Sequence, residues 1–132
     1  MKRSSILQPL SREHHAALTL AKACERAALS GDVAQVGLAC QRAIRAFSAE
    51  LEPHFQLEEQ SLLPLLQSPE TQPLVQRTLA DHQQLRALLG GLQQHDTDAL
   101  CSFGTHLTAH VRFEERELFT VLESLLQERE LT

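Results

Sequence analysis

The stretch His54-Phe55-Gln56-Leu57-Glu58-Glu59, continued by Leu62 and Leu63, returns later in the chain as His110-Val111-Arg112-Phe113-Glu114-Glu115, continued by Leu118 and Phe119. Every paired position is separated by 56 residues. An acid-His pair lies upstream of each copy, Glu13-His14 before the first and Asp81-His82 before the second. In both copies a His and a Glu stand four residues apart, so on a helix they project from one face about one turn from each other. The chain therefore reads as two helical hairpins of similar design.

Composition supports helices throughout. Of the 132 residues, 42% are hydrophobic and only 4% aromatic, with Leu, Ala and Gln abundant and Ile confined to Ile6 and Ile44. Strands draw on the β-branched and aromatic residues that are scarce here. Breakers divide the sequence into four helical stretches. Ser11 is the expected cap of a helix running to about Leu29, with Ser30, Gly31 and Asp32 as the stop. A second runs from about Asp32 to Gln67, with kinks expected at Pro53 and Pro64. After Ser68, Pro69, Thr71 and Pro73, a third is expected over Gln72 to Gln94, weakened near Gly90 and Gly91. The fourth spans Thr97 to Glu128 behind an Asp96-Thr97 cap signal. Four such helices with short connections bury their apolar stripes against one another, which predicts an all-α, antiparallel up-down four-helix bundle, a single domain over residues 1–132.

Charge and cysteines narrow the function. A net charge of −5 argues against a nucleic-acid partner, since phosphate neutralisation needs clustered Lys and Arg. The start, MKRSSILQPL, is too short and too polar for a signal-peptide core, and no apolar run is long enough for a membrane span. Cys24, Cys40 and Cys101 are odd in number and widely spaced, which suggests neither a disulfide framework nor a thiolate zinc site. The expected address is a reducing cytoplasm, with no membrane partner.

Helical phase sorts the histidines. His14 shares its side with Ala17, Leu18, Ala21, Cys24 and Ala28, whereas the side of neighbouring His15 holds Thr19, Lys22 and Glu25. His82 lies with Leu85, Leu89 and Leu92, and His110 and Glu114 lie with Leu107, Val111, Leu118 and Val121 or Leu122. The inward set is thus His14, His54, Glu58, His82, His110 and Glu114, at least one donor from every helix. Unpartnered buried carboxylates cost several kcal/mol, a cost that a metal centre removes. If both Glu bridge two ions, they fill four positions, the imidazoles four more and a bridging oxide or hydroxide two, about ten of the roughly twelve that two octahedral ions offer. The open positions suit a small exogenous ligand. Mixed nitrogen and oxygen ligation without thiolate favours iron or manganese over structural zinc.

Other residues carry plainer expectations. His15, His106 and Glu50 are outer neighbours or surface groups, and His95 is a solvated turn residue. Glu59 and Glu115 fall about 100° round the helix from the inward Glu and read as surface or inter-helix charges. Arg86 is read either as pairing with a carboxylate near the site or as solvent-facing. Cys24 shares the His14 face and is read as a small core residue, with redox sensitivity the lesser reading.

With these motifs in place, the chain from Ser11 to about Leu126 resembles the hemerythrin-like, or HHE cation-binding, family of four-helix bundles. The resemblance rests on Glu13-His14, His54-x-x-x-Glu58-Glu59 with Leu63-Pro64, Asp81-His82 and His110-x-x-x-Glu114-Glu115. It implies a non-haem di-iron centre between the helices, bridged by Glu58 and Glu114, that meets dioxygen, nitric oxide or peroxide. Oxygen-carrying members have a second His where Arg86 stands, and end in His-x-x-x-x-Asp rather than His110-x-x-x-Glu114. The donor order here is closer to the di-iron domain of bacterial proteins that repair nitrosatively damaged iron–sulfur clusters, which usually carry an additional N-terminal cysteine-containing domain. Pro64 has Thr120 as its counterpart in the second copy. Three readings follow: a small-ligand binding or sensing protein, a di-iron enzyme or iron donor for cluster repair or peroxide decomposition, and a structural bundle holding zinc or no metal.

Overall fold

A computed structural model describes residues 3–131; Met1, Lys2 and Thr132 of the expected domain lie outside the described residues. The described residues form no strand, and four rods run antiparallel in a bundle. The first rod is α1 (Gln8–Ser30). The second joins α2 (Val33–Ala46), a π-helical segment Phe47–Leu51, α3 (Glu52–Leu57), a second π segment Glu58–Leu62 and a 3-10 turn Leu63–Leu65. A 3-10 turn Pro69–Thr71 leads to the third rod, α4 (Gln72–Ala87) and α5 (Leu89–Gln93). The fourth is α6 (Thr97–Phe113), a third π segment Glu114–Leu118 and α7 (Phe119–Leu131). Among the described residues, no helix is long and apolar enough to cross a membrane.

Caps explain most boundaries and correct one. Asp96 accepts from the Asp98 and Ala99 amides, so the expected cap operates there, and Asp32, read only as part of the stop after the first helix, also caps α2 by accepting from the Ala34 amide at 2.9 Å. Gly31 closes α1 at φ 68°, a left-handed position that favours glycine. Ser11, in contrast, is not a cap: α1 starts three residues earlier, with Pro9 in its first turn, where a missing amide costs nothing. The Ser4 carbonyl takes up the amides of Leu7 and Gln8 instead, at 3.1 and 2.9 Å.

The prolines act unequally. Pro53 does not end the second rod, because the wider π turn before it relieves the contact its ring would make with the carbonyl one turn back. Pro64 lies in the 3-10 turn that ends the rod at Leu65, two residues short of Gln67. Its counterpart Thr120 keeps its amide and donates its hydroxyl to the Arg116 carbonyl at 3.2 Å, so α7 runs on. The third rod breaks at Leu88, ahead of the expected weak point at Gly90 and Gly91.

The core is split into two apolar blocks. One holds Ala17, Ala21, Cys24, Phe47, Leu51, Phe55, Leu85, Phe103 and Leu107 among others; the second holds Leu7, Leu10, Leu62, Leu118, Phe119 and Leu122. Between them lies a layer of buried polar side chains, His14, His54, Glu58, His82, His110 and Glu114. Gly104 lets α6 approach α1 closely: a Cβ there would lie 2.6 Å from the Ala21 carbonyl oxygen and 2.8 Å from Glu25 Cγ.

Candidate metal centre

All six inward residues meet in this layer. Each rod supplies its donor from the apolar stripe: α1 gives His14, α3 His54, α4 His82 and α6 His110. Glu58 and Glu114 each open a π segment, whose extra residue per turn re-aims the side chain within an otherwise regular rod. Their carboxylates are fully buried.

Two overlapping sets of four donors result. His14, His54, Glu58 and Glu114 form one, and Glu58, His82, His110 and Glu114 the other, with ligand atoms in each set within 4.8 Å of one another. Both Glu belong to both sets. His14 Nε2 lies 2.8 Å from Glu114 Oε1, and His54 Nε2 lies 3.1 Å from Glu58 Oε2. His82 Nε2 lies 3.0 Å from Glu58 Oε1, and His110 Nε2 lies 3.1 Å from Glu114 Oε2. In the last two pairs proximity brings no hydrogen bond: Glu58 Oε1, His82 Nε2, His110 Nε2 and Glu114 Oε2 are buried without a partner. Orphaned buried polar atoms are costly, and here they aim at a common space. That donor set fits a pair of cations bridged by two carboxylates.

Behind every imidazole stands a carboxylate. His14 Nδ1 donates to Glu115 at 2.5 Å, His54 Nδ1 to Glu13 at 2.9 Å, His82 Nδ1 to Glu59 at 2.7 Å and His110 Nδ1 to Asp81 at 2.9 Å. An acid on Nδ1 fixes the tautomer that leaves Nε2 for a metal, and raises the basicity of that nitrogen. Arginines hold three of these acids in turn. Arg86 spans Glu59 at 2.9 Å and Glu52 at 2.7 Å, Arg77 meets Asp81 at 3.0 Å, and Arg3 lies 3.4 Å from Glu115. Glu115 also accepts the Ser11 hydroxyl at 2.9 Å, the role Ser11 has in place of capping. Phe55 stacks on His82 with ring centroids 3.9 Å apart, and Phe119 stacks on His14 at 5.2 Å.

Without metal the groups hold one another's charge. Burial disfavours the His54 cation, yet hydrogen bonds and charge from Glu114 and Glu58 outweigh it and push the imidazole up to about 11. His110 rises to about 10 for the same reason, burial again being overcome by Glu114, with Asp81 adding to it. Burial and then the charge of Glu114 raise Glu58, whereas Glu114 is held well below the usual carboxylate range because His110, His14 and His54 outweigh its burial. One carboxylate of the pair is therefore the better proton holder, as expected for two acids sharing a site.

The outer expectations divide. His15 is exposed, and His106 is half-buried with its Nε2 3.3 Å from Gln84 Nε2. Glu50 is exposed at a surface cleft, and none of these three joins the donor sets. His95 is exposed in its turn with φ 54°. Cys24 is buried in the apolar block, and burial pushes its thiol up to about 11, which suppresses the reactive thiolate at neutral pH. Glu59 and Glu115 are more than surface charges: each supports an imidazole of another rod. The signal was present in the sequence, because an acid one residue from a ligand sits about 100° round its helix and faces the neighbouring rod. Arg86 takes the first of its two readings.

No curated protein and no solved structure matches the chain significantly. The Hemerythrin HHE cation binding domain matches residues 5–126. With that match over nearly the whole length, and buried His and Glu clusters fit for a cation, the chain belongs to the hemerythrin HHE cation-binding domain family and is a metal-binding protein.

Proposed function

We propose that the chain holds two non-haem iron ions, bridged by Glu58, Glu114 and an oxide or hydroxide, and binds dioxygen or a related small ligand such as nitric oxide or peroxide. Its setting on this reading is oxygen, redox or nitrosative-stress sensing or handling in the cytoplasm. The observation that carries the reading is the set of orphaned atoms on Glu58, His82, His110 and Glu114, with no thiolate among the donors. Oxygen and imidazole ligation suits iron or manganese, whereas structural zinc sites are mostly closed and rich in thiolate. When bound, an iron pair supplies electrons and open coordination positions to a small ligand. The protein's own part is positional. Glu13, Glu59, Asp81 and Glu115 keep a proton on each Nδ1, so every Nε2 lone pair points inward. The two apolar blocks limit water at the centre.

Anaerobic iron reconstitution, with metal counting and visible spectra before and after oxygen exposure, tests the proposal. The expected result is two irons per chain and an oxo-bridge charge-transfer band after oxidation. Fewer than two irons with no such band overturns it. Sustained oxygen release on peroxide addition would assign an enzyme rather than a binding protein.

A further inference from the structure

A cavity of about 10 Å³ lies against the donor cluster, touching His14, His54, His110 and Glu114 but neither Glu58 nor His82. The rest of its wall is apolar, with Ala17 and Leu51 on one side. Outside, a surface cleft of about 450 Å³ runs between α1 and the second rod, with Glu13, Glu50 and Arg42 along it. Ala17, Leu51 and His54 line both spaces, so the floor of the cleft is the wall of the cavity. Of the three, His54 is one of the donors and Ala17 contributes a methyl group, which leaves the Leu51 side chain as the principal apolar partition.

Three other surface clefts share no lining residue with the cavity. Phe55 stacks on His82, and the Arg86 guanidinium lies over the Phe55 ring, 5.7 Å from its centroid. The cleft between the second and third rods, lined by Glu59, Leu63 and Leu79 among others, shares no residue with the cavity. Leu51 also ends the π segment Phe47–Leu51, where the regular helical hydrogen-bond ladder is interrupted. Two carboxylates against one guanidinium along the cleft disfavour an anion, and apolar walls cannot solvate a charge.

Resting on the proposed small-ligand reading, we infer that an uncharged molecule of diatomic size reaches the His14–His54 side of the centre between Ala17 and Leu51, and that Leu51 sets the size limit. The route is tested by stopped-flow binding of nitric oxide to the iron-loaded full chain. Leu51→Phe lowers the association rate about tenfold or more, which corresponds to about 1.4 kcal/mol on the barrier. Iron content and the saturated spectrum stay as in the parent. Ala17→Val narrows the same partition from α1 and slows association without altering Leu51, whereas Leu51→Ala speeds it. Leu79→Phe, in the cleft between the second and third rods, leaves the rate unchanged. An unchanged rate in both Leu51→Phe and Ala17→Val, or a slowed rate in Leu79→Phe alone, overturns the route. If the iron-loaded parent binds no nitric oxide, the proposed function fails instead. Metal-free crystals of Leu51→Ala under xenon then decide the route: gas in the cavity supports it, and an empty cavity overturns it.

Discussion

Loading the centre with metal at pH 8 should expel protons, and the structure sets how many. His54, ordinarily near 6.5, is held up to about 11 and His110 up to about 10, in both cases because neighbouring carboxylates outweigh burial. At pH 8 each of these imidazoles therefore carries, beside its Nδ1 proton, about one further proton on Nε2, and a metal ion takes the lone pair on which that second proton resides. Loading thus releases about two protons from this pair alone, and the apparent affinity for the complete pair of ions rises about a hundredfold per pH unit around neutrality. The same shifts fix the sign for the metal-free fold. A raised imidazole contributes stability that is fully present below 6.5 and is lost as the pH climbs through about 10 and 11. Glu58, raised by burial and by Glu114, acts in the same sense. Metal-free protein should therefore melt at lower temperature at pH 10 than at pH 7, while the loaded protein, its imidazoles neutral and ligated, changes far less. Calorimetric titration in two buffers of different ionisation heat counts the protons, and melting curves at both pH values test the sign. Release of less than one proton, or a metal-free chain more stable at pH 10, would refute the reasoning.

Glu58→Ala or Glu114→Ala should abolish the dinuclear site and leave helical content intact; two metals counted in either variant would show that the bridges are other residues. Glu59→Ala removes the acceptor on His82 Nδ1 and is expected to lower metal affinity about 10- to 100-fold, with Glu59→Gln recovering most of it by offering an amide oxygen in the same place. Competition titration with a chromophoric chelator separates these two outcomes. Gly104→Ala drives a methyl against the Ala21 carbonyl, so overpacking of about 1–3 kcal/mol outweighs the gain of about 1 kcal/mol in helix propensity, and chemical denaturation should show a net loss.

Much of this was written in the sequence because two periodicities coincide. The 56-residue repeat pairs His54 with His110 and Glu58 with Glu114, and the helical repeat puts each pair on an apolar stripe, so bundle and donor cluster emerge from one pattern. The phase test chose His14 over His15 because only His14 aligns with Ala17, Ala21 and Cys24, and the structure buries that side. The π segments were not legible. Two of the three open at buried Glu58 and Glu114 and the third precedes α3, and no residue type signals how the backbone hydrogen bonds settle there. The early start of α1 was missed because Ser4 supplies a backbone carbonyl, a group every residue carries. Glu59 and Glu115 read in the sequence as surface or inter-helix charges, and the inter-helix reading holds; which imidazole each would meet is not legible there, because the partners lie on other rods.

The sharing of Glu58 and Glu114 has a consequence for assembly. The first hairpin by itself carries His14, His54 and Glu58, the second His82, His110 and Glu114, so each half owns three donors of its nearer ion and lacks one. On the proposed two-ion reading, neither half fills a four-donor set alone. The two missing carboxylates cross in opposite directions, so a pair of ions bound as proposed would act as a clasp between the two repeated halves. Metal would then join as well as bind: a chain cut in the 66–71 connection would be expected to reunite through its ions, and to part when a chelator takes them.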